Sequence, residues 1–253
     1  MIRRTAPRQA WRRGGVARHG YIRGMTRHAL AAALLLASAF AGSASAQDAT
    51  LFGRQIHLQP PRGYCVADEA HVERRIVARV REGLQSQGPL LAMFVDCAEL
   101  QRARAAGREV EDGFDDYATY CALMSHGELR AIDQVSRQEF LDRMAQPARP
   151  GIDQDVIDKA MKQLHDMGST FTSGRYLGIL DLDASAIYMG IAMSAPGQDG
   201  TAPARYLGVS GLTLIKGVRI SVNRVRRYER PEDLPVLLAG QKQALSALVA
   251  ANE

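Results

Sequence analysis

Residues 205–225 read RYLGVSGLTLIKGVRISVNRV. Val218, Ile220 and Val222 alternate with Arg219, Ser221 and Asn223, a period of two. Side chains on a strand point to opposite faces in turn, so this alternation marks a strand with one apolar and one polar face. Lys216-Gly217 stands between two such runs, and a two-residue turn ending in glycine is a hairpin signal. The stretch therefore predicts antiparallel strands over Arg205–Ile215 and Val218–Val225, with the Arg219, Ser221 and Asn223 face towards water. Upstream, Tyr176–Leu182 and Ala186–Met193 form a second pair around Asp183-Ala184-Ser185. Downstream, Leu234, Leu237, Leu238, Gln241, Leu245, Leu248 and Val249 recur at helical spacing after Pro231–Pro235, which predicts a closing amphipathic helix.

The first half is mixed. Gln55–Leu58 and Tyr64–Val66 read as extended on either side of Pro60-Pro61-Arg62-Gly63, and Gln47–Arg54 as a polar lead-in. Asp68 is the expected N-cap of a helix whose stripe is Val72, Ile76, Val80 and Leu84, and Gly88-Pro89 ends it. Leu90–Val95 is a continuous apolar run of buried-strand length, followed by a short helix at Cys97–Arg104 and a strand at Tyr117–Met124. Ser136-Arg137-Gln138-Glu139 fits a capping box before Phe140, Leu141 and Met144. A further helix is expected over Asp153–Leu164, and Ser194–Pro203 is a Gly/Pro-rich loop. Strands and helices mixed, then consecutive strands, then a helix, predict an α+β fold with a mixed or antiparallel sheet covered by helices. A doubly wound fold needs strict strand–helix alternation, and the second half lacks it.

The chain has 253 residues and a formal net charge of +5. Residues 1–46 contain eight Arg and no Asp or Glu, which leaves 24 basic and 27 acidic groups in 47–253, a net of −3. The basic balance belongs to the leader, and the folded part has no electrostatic footprint for nucleic acid. After Arg27 comes an apolar run, Ala29–Ala41, and then Ala44-Ser45-Ala46. Charged, then apolar, then small is the order of an export signal, and the run is shorter than the roughly 20 residues a membrane helix needs. The expected organisation is an export signal over 1–46, with Met25 an alternative start, and a single domain over 47–253 placed in the periplasm. The mature chain has no apolar stretch long enough to span a membrane. Arg3-Arg4 and Arg12-Arg13 suggest twin-arginine export less well, because both pairs lie far from the apolar run.

Little in the chain carries chemistry. Cys65, Cys97 and Cys121 are an odd number. In an oxidising compartment Cys65–Cys97 is the candidate disulfide, because both follow strand-like segments; Cys121 is then a buried thiol. The competing reading is a catalytic Cys121 with His126 or His165. The isolated histidines provide no metal-ligand spacing, so no metal and no cofactor are expected. Gly208-Val209-Ser210-Gly211 lacks the second glycine of a nucleophile elbow, since Leu212 stands in its place. Asp181 and Asp183, at the strand end, could serve a dispersed hydrolase site with His165 and Ser173. Arg219, Arg224, Arg226 and Arg227, with Arg230 beyond, are candidates for an anionic surface or an acidic partner. Against that stands a solvated edge strand guarded by charge.

Gly63-Tyr64-Cys65, Phe94-Val95-Asp96-Cys97 and the closing unit Leu214–Asn252, centred on Gly217–Asn223, resemble a group of exported proteobacterial proteins without an assigned activity. The order of elements is also similar to the PsbP-like α/β/α sandwich, whose members mostly bind or assist other proteins. The resemblance implies the sandwich fold and carries over no catalytic residue. With no catalytic constellation in the chain, the expected role is an exported non-enzymatic binding or envelope-assisting module, with an envelope protein or an anionic surface as partner. The alternative is a hydrolase-type enzyme with a dispersed site.

Overall fold

In a computed structural model, residues 47–110, 113–125, 128–145, 162, 172–196 and 202–253 are described. All fall within the compact unit Ala44–Glu253. Seven strands form one antiparallel sheet: β3 (Tyr64–Ala67), β4 (Leu90–Asp96), β5 (Asp116–Ala122), β6 (Ser173–Leu182), β7 (Ile187–Ala195), β8 (Ala204–Ile215) and β9 (Val218–Arg227). Their spatial order is β3-β4-β5-β9-β8-β7-β6. β1 (Gln47–Leu51) and β2 (Arg54–Leu58) form a separate two-stranded ribbon. The helices are α1 (Arg74–Leu84), α2 (Cys97–Ala106), α3 (Arg137–Ala145) and α4 (Asp233–Ala250). This is the expected α+β architecture, with the sheet covered on both faces.

One face carries α4 and the β1–β2 ribbon. Ile56, Leu58, Phe94, Tyr120, Tyr188, Ile220, Val222, Leu237, Leu245 and Leu248 form the main core there. Each aliphatic side chain fully buried in it contributes about 1.5–3 kcal/mol. Gly211 of β8 lets α4 come close: a Cβ there would collide with Leu245, and Gln241 Nε2 donates to Val222 O at 2.5 Å. The opposite face is covered in two patches. α1 and α2 bury Ile76, Val77 and Leu100 against Met93 and Val95. α3 buries Phe140 and Leu141 against Ile187, Leu212 and Leu214.

Most elements form where the pattern places them. Lys216 and Gly217 take φ 46° and 75°, the turn needed to join β8 to β9 with the strands' own twist. Asp96 caps α2 by accepting from Glu99 N at 2.9 Å. Ser136 Oγ accepts from Glu139 N at 3.1 Å, but the Glu139 carboxylate pairs forward with Arg143, so only half the capping box is made.

Three expectations need correction. α1 begins at Arg74, not after Asp68. Asp68 Oδ1 accepts from Ala70 N at 2.8 Å in a local turn, and the N-cap position is Glu73, whose carboxylate is buried against Arg104. The lead-in Gln47–Arg54 contains β1, which pairs with β2 from Gln47↔Leu58 to Leu51↔Arg54. β9 is an interior strand between β5 and β8, so the solvated-edge reading of its charges does not hold. The helix expected over 153–164 lies outside the described residues except for Lys162.

Candidate functional site

On the α1 face a cavity of about 300 Å³ lies over the middle of the sheet. Its floor crosses β4, β5, β9, β8 and β7, so at about 4.8 Å per strand it is roughly 19 Å wide. Ile76 and Val80 of α1 form one wall, and Met93, Ile191 and Met193 contribute apolar floor. The floor deepens where β8 has Gly208, since a Cβ there would press on Ile191 Cγ2 at 2.7 Å.

Polar groups gather at its centre. Thr119, Asn223 and Ser210 occupy one row of the sheet, paired Thr119↔Asn223 and Ser210↔Asn223. Asn223 Oδ1 accepts from Ser210 Oγ at 2.6 Å and from Ser221 Oγ at 3.0 Å. Asn223 Nδ2 donates to Thr119 Oγ1 at 3.4 Å, and the two serine hydroxyls lie 3.3 Å apart. Ser221 and Asn223 are two of the alternating polar residues of β9. Asn223 lines the cavity together with Thr119 and Ser210, and Ser221 is buried beside them. The alternation is the signal the sequence holds for this row, which lies beneath α1 rather than in bulk solvent. Thr119 carried no such signal, since its partner on β9 lies 104 residues away.

The quartet is neutral, and burial keeps the nearby thiol and phenols in their protonated, neutral forms. Burial pushes the Cys121 thiol up to about 12, and the Tyr117 phenol is raised chiefly by burial. Tyr206 Oη donates to Asp115 Oδ1 at 3.3 Å and is raised by burial and then by that carboxylate. Half-buried Arg79 also lines the cavity. Among the described residues no three His, Cys, Asp or Glu side chains cluster as metal ligands.

The arginine candidates are not brought together. Arg219 points to the α1 and α3 face, with its Nε buried and unpartnered, and desolvation lowers its pKa. Arg224 points to the other face and is 8% exposed. It donates to Tyr64 Oη at 2.5 Å and lies 4.8 Å from that ring's centroid, with Gly240 of α4 across from it. Only its backbone therefore reaches the cavity. Tyr64 Oη in turn donates to Asp116. Arg226 and Arg227 are more exposed and approach Asp116 and Asp115 at 3.4 and 3.6 Å. Arg230 approaches Asp233 at 3.7 Å. Acidic neighbours thus offset the cluster.

Among the described residues the dispersed hydrolase set does not come together. Lys242 holds Asp181 at 2.7 Å and Asp183 at 3.4 Å, while Ser173 lies at the other end of β6. His126 and His165 are outside the described residues. Cys65 and Cys97 are joined as a disulfide with a Cα–Cα distance of 4.9 Å, and Cys121 is buried and free. The disulfide ties β3 to the first residue of α2 and backs the wall of α1.

No helix among the described residues is long and apolar enough to cross a membrane. No family model matches the chain, and no curated protein matches it. Among solved structures it is similar to the Ran-binding protein Mog1p of Saccharomyces cerevisiae, at 11% identity and a TM-score of 0.31, covering 83% of this chain and 93% of that one.

Proposed function

We propose that the protein is an exported, non-enzymatic binding module of the bacterial cell envelope, and that the cavity beneath α1 is where it receives its ligand. Residues 1–46 are the export signal and the remainder is the working domain. The observation that carries the binding reading is the neutral, hydrogen-bonded quartet Thr119, Ser210, Ser221 and Asn223, three members of which line the cavity among its apolar residues. A polar group removed from water stabilises nothing unless it is hydrogen-bonded, and aliphatic residues would pack this position at least as well. Concave apolar walls around a few convergent polar groups are the ordinary form of a small-molecule site. Among the described residues that line the cavity no nucleophile faces a general base, which favours binding over turnover. The disulfide supports the oxidising compartment.

The test is native mass spectrometry of the protein purified gently from its own envelope fraction, beside a Val80→Trp variant whose indole fills the cavity from the helix side. The expected species is a disulfide-bonded chain beginning at Gln47, with a retained small molecule that the variant lacks. A chain that keeps residues 1–46 in the cytoplasm would overturn export. The same bound mass on both proteins would overturn the cavity as the site.

A further inference from the structure

We infer that the cavity selects a neutral amphipathic molecule, an apolar body carrying one head that both donates and accepts hydrogen bonds, such as a primary amide or an alcohol, inserted head-first. The inference rests on the binding role proposed above and specifies the ligand.

Hydrogen-bond accounting in the quartet leads to this class. An amide nitrogen carries two hydrogens, and Asn223 Nδ2 uses one on Thr119 over a long 3.4 Å contact. Ser210 Oγ donates its single hydrogen to Asn223 Oδ1 at 2.6 Å and keeps acceptor capacity. The cavity floor thus offers one donor and one acceptor side by side. A primary amide or a hydroxyl satisfies both. A carboxylate only accepts, so it would leave the serine oxygen facing an anion. An ammonium only donates, so it would confront the Asn223 amide hydrogens. Neither ion meets a countercharge within the row Thr119, Asn223 and Ser210: Arg224 directs its guanidinium to the other face and pairs there with Tyr64, and Arg79 lies on the α1 wall. An unpaired charge in an apolar site is strongly disfavoured, whereas a neutral head exchanges its water hydrogen bonds for protein ones. The body of the ligand meets Ile76, Val80, Met93, Ile191 and Met193. The methionines are unbranched and adapt to a flexible chain. Half-buried Arg79 provides for the competing pose, an acid with its head left outside.

The experiment uses the apolar fluorophore N-phenylnaphthylamine as reporter and decanamide, decanoate and decylammonium as competitors. The mature protein binds the fluorophore, and Val80→Trp does not. Decanamide competes on the order of tenfold more tightly than either ion, the scale of one well-made hydrogen bond. Asn223→Leu removes that preference while retaining the fluorophore. Ser210→Ala, a milder change that preserves the fold, reduces it several-fold. Decanoate competing as well as decanamide would overturn the head-first neutral ligand and leave the binding role standing, as would a preference that survives both substitutions. Fluorophore binding unaffected by Val80→Trp would remove the cavity as the site and both readings with it.

Discussion

Replacing Asn252 by alanine should separate the closing helix from the N-terminal ribbon. Asn252 sits two residues beyond α4 and is 7% exposed. Its Nδ2 donates to His57 O at 2.9 Å and to Leu248 O at 2.8 Å, and its Oδ1 accepts from His57 N at 2.9 Å. One amide thus terminates the helix and fastens β2 through both backbone groups of a single residue. The backbone cannot take over, because Asn252 N already donates to Val249 O. Three hydrogen bonds at about 0.5–1.5 kcal/mol each, with some recovery of water, put the cost of Asn252→Ala at about 3 kcal/mol. For a domain of this size that lowers Tm by about 6–12 °C. The assay is urea and thermal unfolding followed by circular dichroism, with Asn252→Asp as the control. The aspartate retains the acceptor but turns an oxygen towards two carbonyls, so its folded pKa lies above the usual carboxylate value. The native state then binds the proton more tightly than the unfolded state, so stability is retained at acid pH and lost as pH rises through the carboxylate range. An alanine variant within about 1 kcal/mol of wild type, or an aspartate variant as stable as wild type at neutral pH, would refute the triple role.

Two further outcomes follow from the cysteines. The disulfide spans a separation of 32 residues, so Cys65→Ala/Cys97→Ala should lose about 3–4 kcal/mol in urea unfolding; an unchanged midpoint would show that the link constrains nothing. With its pKa pushed up to about 12 by burial, Cys121 should resist iodoacetamide in the folded protein at pH 8 and react on unfolding. Because the unfolded thiol ionises near its ordinary 9.0, stability should hold below that pH and fall above it; native labelling at the unfolded rate would contradict its burial.

The cavity links these elements to the proposed role. α1 forms its wall, and α1 is held in place through the packing of Ile76 and Val77 against Met93 and Val95. The half-buried Glu73–Arg104 pair joins the start of α1 to α2. The Cys65–Cys97 link anchors α2 to the edge of the sheet. Reduction should therefore loosen the cavity wall as well as lower stability.

The features legible in the sequence are local ones. The β8–β9 hairpin was legible because strand period and a two-residue turn are written in neighbouring residues. The stripe of α4 was legible for the same reason. The disulfide was within reach because only three cysteines compete, and two of them adjoin strands. The tertiary structure alone decided sheet order and therefore what each strand face meets. β9 pairs with β5 across about a hundred residues, Asp116↔Arg226 to Ala122↔Ile220, and no local pattern encodes that partner. That pairing makes β9 central, sets Arg224 against Tyr64, and brings Asn223 beside Thr119 in the cavity floor, with Ser221 buried next to it. The start of α1 was also decided there, since Glu73 is drawn inward to a cation 31 residues further along. Alternation says that two faces differ; only the packed layers say whether the polar one meets water or a ligand.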